Sequence, residues 1–183
     1  MAVKTFTTGE VLTAADTNTY LANSGLVYVS SGSFTNAATF DVTGFSSSYD
    51  FYDLCLNIKA VSTAAVVSFV LRSAGTPRTT NYYGALYSVN YLGTAAVYLN
   101  RNNGANMGLV DVVSSPISLS RLTIHGVDNT EFAVNVHGYD TNNSTFVVGA
   151  FSNYAATNTF DTLRFSGTNN ITGYWNLMGV RKG

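Results

Sequence analysis

The sequence predicts a mainly β protein, a jelly-roll-like antiparallel β-sandwich preceded by one short helix. Two observations predict the sandwich: apolar and polar residues alternate after Gly25, and turns rich in Gly, Asn, Ser and Thr divide that region into about ten short strands. A helix-capping motif before Gly25 predicts the helix. We therefore divide the chain of 183 residues into an N-terminal segment, 1–25, and a β-sandwich domain, 26–183.

The N-terminal segment has its own start and stop signals for a helix over 13–23. Thr13 is placed as the N-cap, and Asp16 three residues later can hydrogen-bond back to its amide, as in a capping box. Gly25 follows as a C-cap. A helix of about ten residues is unstable alone in water, so its apolar stripe must pack on another surface. The stripe consists of Val11, Ala15 and Ala22, with Tyr20 and Leu21 beside it.

The strongest strand signals place apolar side chains at every second position, as expected for strands with one buried face. They cover 53–59, 64–72 and 131–139, and predict a core of Leu54, Leu56, Ile58, Val67, Phe69, Leu71, Phe132, Val134 and Val136. Further strands are predicted over 145–151, 160–165 and 174–180, and weaker ones over 26–29, 82–89, 96–100 and 122–127. Asn and Asp favour turns at 102–104, 128–129 and 140–144.

The composition excludes several classes of function. Charged residues make up 10% of the chain, against about 25% in an average soluble domain. With 9 basic and 10 acidic residues and no basic cluster, the chain lacks the charge that nucleic acid or an anionic membrane surface would require. No apolar run approaches the length of a membrane span, so we expect no membrane insertion. A surface this poor in charge is expected to be largely covered in the working state.

Candidate catalytic groups are few. The only histidines are His125 and His137, the single cysteine is Cys55, and no G-x-S-x-G motif occurs. Most acidic residues fall at predicted strand ends or in turns, where Asp is expected, and no pair for glycoside hydrolysis is indicated. Oxygen-rich stretches at 128–131 and 140–143 are better explained as turns than as calcium loops. We expect neither catalysis nor a cofactor or metal.

Tyrosines are concentrated in one third of the chain. Because tyrosine joins apolar area to a polar tip, it is common at interfaces and sugar sites. The alternative is that these residues cover a sheet edge or fill the rim of the sandwich. We take four as candidate surface or glycan contacts: Tyr82, Tyr83, Tyr87 and Tyr91.

Two stretches resemble proteins of tailed-bacteriophage virions. The first, FTTGEVLTAADTNTYL over 6–21, resembles the N-terminal segment of tail fibres and minor tail proteins: an aromatic residue, Gly-x-Val-Leu-Thr-Ala-x-x-x-Asn, then an apolar residue. The second, 40–83 together with ITGYWNLMGV over 171–180, is more loosely similar to a β-sandwich domain of phage structural proteins. The resemblance implies a non-enzymatic virion part, usually a homotrimer.

On this resemblance the leading hypothesis is a virion-located tail fibre or tail appendage subunit. Its N-terminal helix would attach it to sister chains or to another virion protein, and its sandwich could contact host surface glycans. The residues expected to make the attachment are Phe6, Val11, Leu12, Ala15, Tyr20 and Leu21. The alternatives are a capsid decoration (cement) protein and, further away, a carbohydrate-binding or carbohydrate-active β-sandwich protein.

Overall fold

A computed structural model of the chain describes residues 7–11, 13, 25–89, 95–126, 131–141, 145–154 and 160–182. Within these ranges the protein is mainly β, with eleven strands and no helix. The strands are β1 (Leu26–Thr43), β2 (Tyr49–Ala60), β3 (Ala65–Ser73), β4 (Thr76–Pro77), β5 (Tyr82–Val89), β6 (Ala95–Gly104), β7 (Met107–Val112), β8 (Ser118–His125), β9 (Glu131–Asp140), β10 (Thr145–Tyr154) and β11 (Thr162–Arg181).

The helix predicted over 13–23 lies almost entirely outside the described residues, so it stays a prediction. Within the described ranges, no helix has the length and apolar character needed to cross a membrane. The first strand begins at Leu26, directly after Gly25, whose φ of +85° is the left-handed conformation that glycine adopts readily.

All pairing is antiparallel, and the strands form one curved sheet, a half-barrel. Its organising element is β11, which pairs with β1 along one edge and with two different strands along the other. The first part of β11 pairs with β3, whose far edge carries β7 and β4; we call these strands the small sheet. The second part pairs with β2 and continues through β8, β9, β10, β5 and β6, which we call the large sheet.

The two parts of β11 are separated by an irregular stretch over 168–170, where the pairing with β1 also shifts register. Side chains replace the missing ladder bonds. Asn169 Nδ2 donates to the Ala64 carbonyl over 2.7 Å, Asn170 Nδ2 donates to Asn36 Oδ1 over 3.0 Å, and the Val66 amide donates to Thr168 Oγ1 over 3.0 Å. Such a bulge bends the strand, which lets the small sheet turn over the inner face of the large one.

The core lies between the small sheet and the inner face of the large sheet. Strand β7 contacts β2, β5, β8, β9 and β10 across this space. Its approach to β9 depends on Gly138, because a Cβ there would lie 2.7 Å from Val110 Cγ1. At the joint, Phe34, Phe40, Phe165 and Phe69 form a chain of ring contacts with centroids 3.8, 4.9 and 5.3 Å apart.

The strongly alternating segments are confirmed: all nine predicted core residues are buried. Of the weaker signals, 82–89 matches β5, whereas 26–29 covers only the start of β1, which has 18 residues. The separate strands predicted over 160–165 and 174–180 belong to one strand of 20 residues, β11. The turn predicted at 102–104 is wrong, because β6 continues through Gly104. Strand β7 was not predicted at all.

Candidate interaction surface

The outer face of the large sheet carries a row of apolar side chains that crosses the strands. Cross-strand register aligns Tyr174 on β11 with Asn57 on β2 and Leu119 on β8. On β9, β10 and β5 it aligns Tyr139, Phe146 and Val89. The pairing of Ser120 with Gly138 places Leu119 beside Tyr139 and joins the two halves. We call Tyr174, Leu119, Tyr139, Phe146 and Val89 the apolar stripe.

The stripe is open to solvent. Phe146 is 64% exposed, Leu119 is 62% exposed, and Tyr174 is about half exposed. The Phe146 and Tyr139 rings touch at a centroid distance of 5.4 Å, and Ile117, just before β8, adds a further exposed apolar side chain. Single exposed hydrophobic residues are ordinary on a protein surface, but an aligned set across several strands marks an interaction surface.

A neighbouring row on the same face lies two residues from the stripe along each strand, and it contains both polar and apolar side chains. Across the same strands it places Asn176, Cys55, Arg121, His137, Val148 and Tyr87. Arg121 forms a bidentate ion pair with Asp53: its Nε donates to Oδ1 over 2.7 Å and its Nη2 to Oδ2 over 2.6 Å. The only charged side chain of this row is therefore already neutralised within the subunit.

Between the two rows lies an open cleft of about 530 Å³. It is bordered by Leu119, Tyr139, Phe146 and Val148 on its apolar side, with Cys55, Asn57, Arg121 and His137 as polar groups. The volume is within the range of ligand sites, and the mixture of aromatic walls with a few polar groups is typical of binding surfaces.

The chemistry of the cleft favours binding over nucleophilic attack. Burial, followed by the negative charge of Asp53, raises the pKa of the Cys55 thiol, so the reactive thiolate is disfavoured at neutral pH. His137 lies two strands from Cys55, about 10 Å at the sheet spacing, with Arg121 between them. Among the described residues, no group of three or more His, Cys, Asp and Glu side chains is placed to hold a metal ion.

The four tyrosines chosen from the sequence have different positions. Tyr82 is fully buried, so its assignment to the surface is wrong: its hydroxyl accepts a hydrogen bond from the Leu71 amide over 2.9 Å and donates to the Arg78 carbonyl over 3.2 Å. Tyr83 and Tyr87 alternate with it on β5 and are exposed on the outer face. Tyr91 lies outside the described residues.

Of the predicted attachment residues, only Val11 is described, and it is 79% exposed. Phe6, Leu12, Ala15, Tyr20 and Leu21 lie outside the described residues, so their role stays a prediction. His125 lies on the outer face against the Phe51 ring, with centroids 5.5 Å apart, and is not next to His137 in the sheet.

Sequence reasoning missed Leu119, Phe146 and Ile117 as surface residues, although a signal was present. In Phe146-Val147-Val148 apolar residues stand on both faces of a strand, and Leu119 is out of phase with buried Leu122 and Ile124. Strands that are apolar on both faces are typical of sheets covered on both sides.

Comparison with known proteins adds no family. No protein-family model and no curated protein matches the chain. Among solved structures, the structure of infectious bursal disease virus Gx strain has a TM-score of 0.12 and 11% identity over 85% of this chain and 38% of that one. The Gt strain of the same virus has a TM-score of 0.12 and 9% identity over 86% and 42%. The chain thus spans less than half of these viral chains, and at this TM-score the likeness supports neither a shared fold nor a shared function.

Proposed function

We propose that the protein is a non-enzymatic structural subunit of a tailed-phage virion, a tail fibre or tail appendage built on a jelly-roll-like sandwich. The observation that supports a structural role most directly is the apolar stripe, which crosses the large sheet and leaves Phe146, Leu119 and Tyr174 exposed to solvent. A chain with only 10% charged residues has little else to keep such a face in water, which favours a state in which the face is covered.

The resemblance of residues 6–21 to phage tail proteins selects the virion as the place of that assembly. In this proposal the N-terminal segment attaches the subunit and the β domain projects from the particle. The sandwich itself is supported by the small sheet, which packs over the inner face of the large sheet through β7.

A capsid decoration protein remains the second candidate, since it would share the low charge, the covered face and the resemblance. Contact with host glycans belongs to the first candidate and would use Tyr83, Tyr87 and the adjoining cleft, whose aromatic and polar groups suit sugar rings. Electron microscopy of particles carrying labelled protein separates tail from capsid, and absence of label from the particles would refute both.

The attachment role is tested by Leu12→Asp combined with Leu21→Asp in the full chain. A charge placed in a dry contact costs several kcal/mol unless it is paired, so particles assembled with this variant should lack the protein. Thr17→Asp combined with Thr19→Asp, which adds the same two charges outside the residues expected to make the attachment, is the control and should be incorporated normally.

Deletion of residues 1–25 should give the same loss while circular dichroism keeps its β signal, because the described strands begin only at Leu26. An unfolded deletion variant would place the segment in the core of its own subunit, and the attachment proposal would fail.

A further inference from the structure

We propose that the apolar stripe is the surface through which two copies of this chain bind each other. The inference deepens the proposed function and rests on it, because it assigns to one named face the self-assembly that a virion subunit needs. It follows from the size, the charge and the shape of the outer face of the large sheet.

The size of the surface fits a protein partner. The stripe crosses β11, β2, β8, β9, β10 and β5, a distance of about 24 Å at the usual strand spacing. With the bordering Ile117, Val148 and Tyr87, its exposed apolar side chains leave on the order of 600 Å² in solvent, the upper end of what monomers expose. A stable interface covers about 800 Å² on each partner, which the stripe and its polar border together approach.

The charge of the surface fits a partner identical to itself. The stripe contains no ionisable acid or base apart from tyrosine, and Arg121 in the neighbouring row is already paired with Asp53. The charge at its other border comes from Lys59, two residues from Asn57 on β2. Two such faces therefore bring few like charges together, whereas a strongly charged partner would gain little from this surface. A second copy of the chain meets this requirement for a weakly charged partner, because it presents the same stripe.

The surface has both a protruding side chain, Phe146, and a cleft that can receive one. Phe146 projects from β10 with 64% of its area exposed, and the cleft opens directly beside it, between the stripe and the neighbouring row. When two copies meet face to face, Phe146 of one copy can enter the cleft of the other and be bordered by apolar side chains. Sheets that pack in this way lie about 10 Å apart with interdigitating side chains.

The test uses the purified full-length chain without any virion component, so its outcome is independent of where the protein is found in a particle. Sedimentation equilibrium at micromolar concentration should show an assembly of two or more copies. Phe146→Glu and, separately, Leu119→Glu should raise the dissociation constant at least ~30-fold, the effect of removing an interface hot spot. Val66→Glu, at a half-exposed position of the small sheet, is the matched control and should leave the assembly unchanged.

Cys55 supplies a second measurement, because it is the only cysteine of the chain and lies in the cleft. Its alkylation by a bulky maleimide should slow at least ~10-fold when the protein concentration is raised from well below the dissociation constant to about 100 times that constant, as expected for a cleft buried in an interface. In Phe146→Glu the rate should be fast at every concentration. Circular dichroism of each variant confirms that the strands are intact, and Leu119→Glu takes the place of Phe146→Glu should the latter fail to fold.

A wild-type chain that stays monomeric would overturn the inference. So would an assembly that survives both glutamate substitutions, or one in which Cys55 reacts at the same rate at all concentrations, since copies would then meet through another surface. If the chain assembles through the stripe but is absent from particles, the inference stands and the proposed function fails.

Discussion

Strand β11 runs through both the small and the large sheet, yet the outer faces of these two sheets differ in chemistry. On the side of the small sheet, Asp41 of the neighbouring strand β1 accepts a bidentate pair of hydrogen bonds from Arg164, both 2.7 Å, and a third from Arg72 over 3.0 Å. On the large sheet, the corresponding outward positions hold Tyr174, Leu119 and Phe146. The first face has satisfied its polar groups within the subunit and is suited to water, whereas the second leaves apolar area uncovered and is suited to a partner.

The comparison shows that exposure alone does not identify an interaction surface. Arg121 and Leu119 are similarly exposed, but the arginine is already paired within the subunit and the leucine gains only when water is removed from it. The four predictions below test how far the two faces are independent, starting with the largest expected effect.

The largest effect should come from the core that supports both faces. Phe165 stacks on Phe40 and Phe69 at the joint of the two sheets, and Phe165→Ala should lower the free energy of unfolding by about 3–5 kcal/mol because it leaves a cavity. Chemical denaturation followed by circular dichroism measures the loss. Trp175, the single tryptophan, reports on the large-sheet part of β11 and should give the same midpoint.

Two separate midpoints in that experiment would mean that the sheets unfold independently and that the two faces do not share one core. Ser166→Ala is the control for Phe165→Ala, because its side chain is on the opposite side of the strand, and it should change stability by no more than about 0.5 kcal/mol.

A smaller effect should separate the inner and outer tyrosines of β5. Tyr82→Phe leaves the Leu71 amide and the Arg78 carbonyl without this hydroxyl and should cost about 1–3 kcal/mol. Tyr87→Phe removes an exposed hydroxyl and should change monomer stability by no more than about 0.5 kcal/mol. Equal losses in urea unfolding would contradict the assignment of the two faces of β5.

Tyr82 also predicts an effect on stability at high pH. Burial raises the pKa of Tyr82 to about 12, above the value near 10 of an unfolded tyrosine. Because the folded-state pKa is raised, the stability from the neutral hydroxyl is fully present below pH ~10 and is lost as the pH rises through about 12. Absorbance at alkaline pH should show that Tyr82→Phe has lost a late-ionising tyrosine that the wild type contains.

The smallest effect concerns the ionic face. Hydrogen bonds from Arg164 lower the pKa of Asp41, with the charges of Arg164 and Arg72 adding to them. Because the folded-state pKa is depressed, the pair stabilises the protein above the unfolded pKa of about 3.9 and this contribution is lost as the pH falls through the folded-state value. Asp41→Asn should therefore cost about 1 kcal/mol at neutral pH, as expected for a partly exposed pair, and progressively less in acid.

Thermal unfolding of both proteins between neutral pH and strong acid measures this difference, and added salt should reduce it at neutral pH. A gap between wild type and Asp41→Asn that stays constant down to strong acid would mean that the carboxylate charge contributes nothing to the small-sheet face.

The sequence by itself determined where one-sided strands lie. Alternation along 53–59 and 131–139 depends only on the two-residue repeat of a strand with one buried face, and it correctly separated Leu54, Leu56 and Ile58 from their outward neighbours. Alternation could not determine the lengths of β1 and β11. These two segments are rich in Ser, Gly, Thr and Asn, and they form long strands because they pair with each other. Their polar side chains give no periodic signal.

Only the tertiary structure decided which residues form a surface. Tyr82 and Tyr83 are adjacent in the chain, and one lies in the core while the other is exposed. Which of the two is buried depends on which face of β5 packs against the core, and local sequence does not encode this. Likewise Leu119, Phe146 and Tyr174 come from β8, β10 and β11, and only strand order and register align them. Alternation is a local property of a strand, whereas the apolar stripe is a property of non-local pairing, which depends on contacts between residues far apart in sequence.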